Sequence, residues 1–182
     1  MSRVIVLNGI SSAGKTTLAR AVQGLATQDW LLVSMDQFIA MIPDGKELQP
    51  DWFVVRDETV DEATPRISIT NGPKGRLLLQ AMRAFVADAA DGGNDVIVDD
   101  VCTAEEIADY RNRLRHHDLR VVKVSVSLED AERREIARGD RMIGLAREQA
   151  GRIHRDIDYD FTLENDDGSL EANAGKLLAL YG

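Results

Sequence analysis

The chain has 182 residues, of which 44% are hydrophobic, and a formal net charge of −9. This length fits one domain with a proper core, which we expect to cover residues 1–182. The acidic balance argues against a sequence-independent nucleic-acid binder, which needs clustered Lys and Arg, and against binding to anionic membranes. One cysteine, no visible secretory signal and no long apolar run predict a cytoplasmic protein, and no pattern indicates the oligomeric state.

Five short apolar runs have the length and composition of buried strands. They cover residues 4–7, 30–33, 96–98, 121–126 and 159–163. Apolar residues at helical spacing lie between these runs, at Leu18, Val22 and Leu25, at Leu78, Met82 and Phe85, and at Ile107, Tyr110 and Leu114. Strands that alternate with helices predict an α/β fold, with a five-stranded parallel sheet and helices on both faces.

Hydroxyl residues mark the predicted start of two helices. Thr103 and Glu106 form a capping box, in which each side chain takes a free backbone N–H. Ser127 and Asp130 resemble such a box and should open another helix, and a last helix is expected over residues 169–180.

The stretch 43–73 has no clean period and contains all four prolines. We expect an irregular excursion over the surface, with a short hairpin around residues 52–55 and 67–69. Because long excursions in compact domains are often substrate-binding elements, this one is predicted to bind an acceptor.

The first strand is followed by GISSAGKT at residues 9–16, which matches the P-loop motif G-x-x-x-x-G-K-[ST]. Its two glycines let the backbone turn so that N–H groups converge on phosphate oxygens, at the positive end of the following helix. Lys15 should reach the β- and γ-phosphates of ATP, and Thr16 should offer its hydroxyl to Mg²⁺. The serine hydroxyls could donate to phosphate or cap the turn. The predicted nucleotide ligands are Gly9, Ser11, Ser12, Ala13, Gly14, Lys15, Thr16 and Thr17.

Acidic residues follow two other predicted strands, at the sheet edge where ligands bind in open parallel sheets. Asp99 and Asp100 follow residues 96–98 in a Walker B pattern, so at least one is expected to serve Mg²⁺ beside Thr16, although either could instead cap a turn. Asp36 follows the second strand and has two open interpretations. It could be the N-cap of a short helix over residues 37–42, or a base that accepts the proton of an acceptor hydroxyl.

Two arginines flank Gly139 in the stretch ARGDR at residues 137–141. Arg138 and Arg141 suit a mobile lid over residues 138–154, which would close over the nucleotide and neutralise developing charge. The alternative is a solvated helix with Glu–Arg pairs. The three histidines show no metal-ligand spacing with Cys102, so no zinc site is predicted.

The chain resembles chloramphenicol phosphotransferase and its P-loop kinase relatives. The matching pieces, in order, are VIVLNGISSAGKT, WLLVSMDQFIAMIP, VIVDDV, REIARGDRMIGLAREQAGRIH and DYDFTLEN. This resemblance implies a P-loop kinase fold and transfer of the ATP γ-phosphate to a small-molecule alcohol. It implies Asp36 as general base, with Lys15, Arg138 and Arg141 acting on the phosphates, and it places the segment 165–169 beside the adenine.

The acceptor is the least determined part of this prediction. A chloramphenicol-like antibiotic is the first candidate, and a nucleotide sugar, a nucleoside or another antibiotic is the alternative. A regulatory NTPase is disfavoured, because GTP switches carry an N-K-x-D stretch and the comparable place, from Asn165, reads NDDG.

Overall fold

The computed structural model describes residues 1–61, 63–139, 142–165 and 169–182. Its strands are β1 (Arg3–Asn8), β2 (Trp30–Ser34), β3 (Phe53–Asp57), β4 (Ile67–Asn71), β5 (Asp95–Asp100), β6 (Asp118–Ser125) and β7 (Phe161–Glu164). Its helices are α1 (Lys15–Leu25), α2 (Met35–Ile39), α3 (Pro73–Asp91), α4 (Ala104–Arg113), α5 (Leu128–Arg138), α6 (Leu145–Ala150) and α7 (Leu170–Leu178), and a 3₁₀ turn (Ala179–Tyr181) follows.

The five predicted strands form one parallel sheet in the order β2-β5-β1-β6-β7. β1 is central and pairs with β5 on one side and β6 on the other. Since all strands run the same way, their carboxyl ends share one edge, where Asn8 lies opposite Asp100 and Ser34 opposite Asp99. The sheet prediction is confirmed, and its carboxyl edge collects the residues that carry chemistry.

Alternate side chains of β1 enter two separate cores. Ile5 and Leu7 pack in a cluster with α1, α7 and part of α5 and α6, whereas Val4 and Val6 pack in a cluster with α3 and α4. All four side chains are fully buried. Helices therefore cover both faces, as predicted from the alternating pattern.

The helix starts agree closely with the capping signals. Glu106 accepts the N–H of Thr103 at 2.8 Å, and Ser127 accepts the N–H of Asp130 at 3.1 Å. In α3, however, the predicted stripe is displaced, because the side chain of Phe85 is 49% exposed and contacts Phe38 at the surface. The buried stripe instead contains Leu79, Met82 and Val86.

The predicted hairpin exists as an antiparallel pair, β3 and β4, outside the main sheet. It packs on α2 and α3 through a small cluster around Ile42, Phe53 and Leu79. The start of α3 touches the chain before β3 directly, since a Cβ on Gly72 would lie 2.2 Å from the carbonyl oxygen of Pro50. This contact holds the chain before β3 against the start of α3.

No helix in the described ranges is long and apolar enough to cross a membrane.

Candidate functional site

One cavity lies at the carboxyl edge of the sheet and combines most of the sequence-predicted site residues. Those that line it are Ser11, Ser12, Gly14, Lys15, Thr16, Thr17, Asp36, Asp99 and Arg138, together with Met35, Val101, Leu145 and Gln149. Of the other predicted residues, Gly9, Ala13 and Asp100 do not line it, and Arg141 lies outside the described residues. The cavity is therefore the candidate site.

The loop between β1 and α1 has the close packing that its glycines suggest. Gly14 has φ +83°, and a Cβ there would lie 2.7 Å from the side-chain nitrogen of Asn165. A Cβ on Gly9 would lie 2.7 Å from the carbonyl oxygen of Val124. Ser12 also has a positive φ of 61°, and its buried hydroxyl has no hydrogen-bond partner among the described residues. A buried polar atom beside this cavity suits a ligand rich in acceptor oxygens, such as a phosphate chain.

Lys15 is held over this loop rather than extended into solvent. Its ammonium donates to the carbonyl oxygens of Gly9 at 2.9 Å and Ile10 at 3.1 Å, and it lies 3.7 Å from a carboxylate oxygen of Asp99. The same carboxylate accepts a hydrogen bond from the hydroxyl of Thr16. A cation, a hydroxyl and a carboxylate thus meet at one point of the cavity.

The hydroxyl of Thr16 and the carboxylate of Asp99 are hard oxygen ligands for a metal ion. The described ranges contain no cluster of three or more His, Cys, Asp or Glu side chains. Mg²⁺ is usually bound by one or two carboxylates together with substrate phosphates, and not by an all-protein cage. Thr16 and Asp99 have the chemistry to hold it.

The two aspartates at the end of β5 have different environments. Asp99 lines the cavity, whereas Asp100 is buried on the other face of the sheet and accepts hydrogen bonds from the hydroxyl of Tyr110 at 3.0 Å and the N–H of Val101 at 2.8 Å. Burial raises the pKa of the Asp100 carboxyl, which these hydrogen bonds only partly oppose. Of the two metal-ligand candidates, the structure places only Asp99 at the cavity.

The interpretation of Asp36 as an N-cap is wrong. Ser34 caps α2, because its hydroxyl accepts the N–H of Gln37 at 3.3 Å while the side chain of Gln37 accepts the N–H of Ser34 at 2.9 Å. Asp36 lies in the first turn of α2, exposed and on the lining of the cavity. Its role as a base stays a prediction, and its position in the same cavity as the phosphate loop is compatible with that role.

Arg138 is the last residue of α5 and lines the same cavity. Gly139 follows it with φ +67°, a left-handed conformation that ends the helix. The backbone turn after Arg138 is therefore present. Within the predicted lid, Ala146 and Ile153 are buried in the core, and lid closure itself stays a prediction.

Two further residues contact the phosphate loop from distant parts of the chain. The side-chain oxygen of Gln149, on α6, accepts the N–H of Ser11 at 2.6 Å. Asn165, which directly follows β7, donates to the carbonyl oxygen of Ala13 at 2.7 Å. Gln149 carried no signal in the sequence, because its contact joins segments far apart in the chain. Asn165 lies at the start of the segment 165–169 that the resemblance placed beside the adenine.

A polar network lies beside the cavity at the ends of β1 and β5. Asn8 donates to the hydroxyl of Tyr159 at 2.8 Å, which lies 2.7 Å from Nδ1 of His154. Burial, with Lys123 and Lys15 nearby, lowers the pKa of His154 to about 4, so its imidazole is neutral at neutral pH. The hydroxyl of Tyr159 accepts from Asn8, and its own proton is left to donate to Nδ1 in the tautomer that carries the imidazole proton on Nε2.

A family model described as chloramphenicol phosphotransferase-like protein matches residues 2–179. Two Mycobacterium tuberculosis proteins, from strains CDC 1551 / Oshkosh and ATCC 25618 / H37Rv, share the name "Putative O-phosphotransferase". Each is 34% identical to this chain over 167 residues, which is 89% of this chain and 74% of the relative.

Solved kinase structures share the fold. The Mycobacterium tuberculosis APS kinase in complex with AMPPNP and APS aligns with a TM-score of 0.66 and 20% identity, covering 99% of this chain and 97% of that one. Shikimate kinase from Acinetobacter baumannii, in complex with shikimate, aligns with a TM-score of 0.62 and 15% identity, covering 100% and 93%. The family match and these folds agree with the motifs at the cavity. The chain belongs to the family of chloramphenicol phosphotransferase-like proteins and is a phosphotransferase of the kinase type.

Proposed function

We propose that this enzyme transfers the γ-phosphoryl group of ATP to a hydroxyl of a small molecule, with Mg²⁺ as the metal ion. The observation that carries the proposal is a single cavity lined by the phosphate loop, by Asp99 and by Asp36. A phosphate cradle, a metal ligand and a candidate base within one cavity are the parts that phosphoryl transfer requires.

The nucleotide end of the reaction depends on the loop and the start of α1. Backbone N–H groups of the loop and the ammonium of Lys15 bind the β- and γ-phosphates. Thr16 and Asp99 hold Mg²⁺, which when bound neutralises charge on the phosphate oxygens. A buried lysine, 7% exposed, needs little reorganisation to act on the developing charge.

The acceptor end depends on α2 and on the hairpin that packs against it. Asp36 orients the acceptor hydroxyl and accepts its proton as the oxygen attacks phosphorus. Since the transition state for phosphoryl transfer is loose, orientation contributes more to the rate than proton removal. Arg138, and Arg141 with it, donates to the phosphoryl oxygens as they gain charge.

The acceptor we propose to test first is a chloramphenicol-like antibiotic. A nucleotide sugar, a nucleoside or a different antibiotic is an equal alternative, because the hairpin region carries no motif that specifies one acceptor. We propose that the residues that select among them lie on α2 and on the hairpin of β3 and β4, which packs against α2.

The experiment is a screen of hydroxylated antibiotics and metabolites with ATP and Mg²⁺, read by mass for the addition of one phosphate. With an acceptor identified, we expect Asp36→Asn to lower kcat by about 100-fold or more. Its ATP affinity should stay within about twofold, since Asp36 lies on α2 and not on the phosphate loop. Asp88→Asn, the same change on the exposed surface of α3, is the control and should keep kcat.

Transfer by Asp36→Asn at near the wild-type rate would remove Asp36 from the mechanism. ATP turnover that does not depend on any added alcohol would instead contradict the kinase activity and favour a regulatory NTPase.

A further inference from the structure

Gln149 touches the phosphate loop from outside it. It lies near the end of α6, its side chain lines the cavity, and it is 7% exposed. Its Oε1 accepts the N–H of Ser11 at 2.6 Å. This hydrogen bond is the only one that the structure gives to the Gln149 side chain among the described residues, so half of the amide is unaccounted for.

The hydrogen bond fixes which way the amide points. The oxygen is the acceptor atom of the side-chain amide, so Oε1 faces the N–H of Ser11 and the two donors of Nε2 are left for another partner. Because Gln149 lines the cavity, Nε2 presents its two donors there. A nearly buried amide with free donors in a polar cavity is poised for a ligand that supplies acceptor oxygens.

The position of Gln149 along the cavity indicates which part of the nucleotide it faces. A second cavity, lined by Thr16, Thr17, Arg20, Gly24 and Leu170, shares Thr16 and Thr17 with the first. A nucleoside in this second cavity would send its phosphate chain past Thr16 toward the beginning of the loop. Ser11 and Gln149 then lie at the far end, where the terminal phosphate ends.

The helix that carries Gln149 is itself held in place. Glu135, fully buried in α5, accepts the N–H of Gly144 at 2.8 Å and that of Ala146 at 3.1 Å. The carboxylate thereby fixes the start of α6, and Gln149 is in position before any ligand arrives. Donors fixed in advance stabilise developing charge more effectively than donors that must reorganise.

We infer that Gln149 is a further catalytic residue: its Oε1 anchors the Ser11 amide, and its Nε2 donates a hydrogen bond to an oxygen of the phosphoryl group in transfer. The inference rests on the proposed function, since it requires ATP in the cavity. Gln149 would then act as a neutral hydrogen-bond donor in the cavity that the cations Lys15 and Arg138 also line.

The decisive variant is Gln149→Glu, because it separates the two halves of the amide. One carboxylate oxygen can still accept the N–H of Ser11, while the donor is replaced by a negative oxygen facing phosphate. We expect kcat to fall by about 100-fold or more, the loss seen when one transition-state donor is removed. Lower pH should recover part of this loss, since a protonated carboxyl group has an O–H donor.

Nucleotide binding gives a second readout that needs no acceptor. Calorimetry with ADP and with a non-hydrolysable ATP analogue compares ligands that differ in the terminal phosphate. For Gln149→Glu we expect ADP affinity within about twofold of wild type and analogue affinity at least about tenfold weaker, since a like charge replaces a donor. Gln80→Glu, the same change on the exposed surface of α3, should alter neither kcat nor affinity.

The outcomes separate the two proposals. If Gln149→Glu keeps kcat and analogue affinity near wild type while the wild type binds both nucleotides, Gln149 only anchors the loop and the inference is overturned. If the wild type binds neither nucleotide, the proposed function fails and the inference fails with it.

Discussion

Asp99 and Asp100 are neighbours in the chain, yet they face opposite sides of the sheet. Asp99 lies two residues after Ile97 and therefore on the same face, toward the core that contains α1. Asp100 lies two residues after Val98, on the face toward the core that contains α3 and α4. Successive side chains of a strand point to opposite faces, so only one of the pair can reach the phosphate loop. Consequently Asp99 lines the cavity, whereas Asp100 is buried in the core.

This contrast predicts two different losses on truncation to alanine. Asp99→Ala should remain folded but lower kcat with Mg²⁺ and ATP by about 100-fold or more, because a catalytic metal ion contributes several kcal/mol. Asp100→Ala should leave the Tyr110 hydroxyl and the Val101 N–H unpaired in the core. We expect it to lower the free energy of unfolding by roughly 1–3 kcal/mol.

Urea unfolding and a Mg²⁺ titration of kcat, made on both variants, test the assignment. Asp99→Ala should require more Mg²⁺ for half-maximal activity, while Asp100→Ala should not. Separate roles would be refuted if both variants lost stability equally, or if Asp100→Ala alone changed the Mg²⁺ requirement.

The sequence predicted that an acid of this pair would serve the metal, but it did not predict which one. Alternation along β5 says that they face opposite sides, and it does not say which side α1 will cover. That choice is made by the crossover from β1 through α1 to β2, a tertiary feature. Gln149 was missed for a related reason, since its contact with Ser11 spans most of the chain.

At the scale of elements, the connection from α5 to α6 joins the two ends of the proposed reaction. The N–H of Gly144 donates to Glu135, and its carbonyl oxygen accepts the N–H of Ile67, the first residue of β4, at 3.2 Å. Gly144 has φ +98°, and a Cβ there would lie 2.5 Å from the carbonyl oxygen of Pro65. Gly144, which directly precedes α6, is thus tied to the hairpin of β3 and β4.

Glu135 is predicted to be a positioning residue for this connection. In Glu135→Gln one of the two acceptors becomes an NH₂ group opposite a backbone N–H, and a charge-assisted hydrogen bond of about 1.5–3 kcal/mol is lost. We expect looser placement of Arg138, and so a kcat about tenfold lower with little change in the KM for ATP.

Hydrogen exchange provides the readout that separates positioning from general destabilisation. The amides of Gly144 and Ala146 should exchange faster in Glu135→Gln, while those of β1 should be unchanged. Glu129→Gln, on the exposed face of the same helix, is the matched control. Equal acceleration throughout the sheet would mean that Glu135 supports the fold and not the arginine in particular.

Elements were predicted well where their signals are local. The strand runs are short, apolar and separated by helices, and the caps at Thr103 and Ser127 each involve residues three apart. In α3 the run of three leucines at 77–79 offers more than one apolar stripe, and packing against the sheet selected the one through Leu79. The contact between Gly144 and Ile67 had no local signal, because the hairpin region lacks periodicity.

At the scale of the whole molecule, the polar network around Asn8 connects distant parts of the sheet. Asn8 ends β1, exchanges hydrogen bonds with the backbone of Cys102 beyond β5, and donates to Tyr159 ahead of β7. His154, which follows α6, joins through Tyr159. Since these segments meet only in the folded chain, protonation of the histidine is coupled to global stability.

The sign of this coupling follows from the pKa of His154, which folding lowers to about 4 from an ordinary value of about 6.5. Between these two values the unfolded chain binds more protons than the folded one. The stabilisation is therefore complete above about pH 6.5 and is lost as the pH falls toward 4. In this window, protonation of Nδ1 also removes the acceptor for the Tyr159 hydroxyl.

We expect His154→Gln to weaken this pH dependence, because glutamine stays neutral and can still accept from Tyr159. The measurement is the urea midpoint at about pH 7.5 and about pH 5, on either side of the ordinary histidine value. Wild type should lose more stability between the two than His154→Gln does, whereas His116→Gln, a change at an exposed histidine, should follow wild type. An identical loss in wild type and His154→Gln would mean that other groups carry the acid sensitivity, and that the network holds the sheet together without regard to the charge on His154.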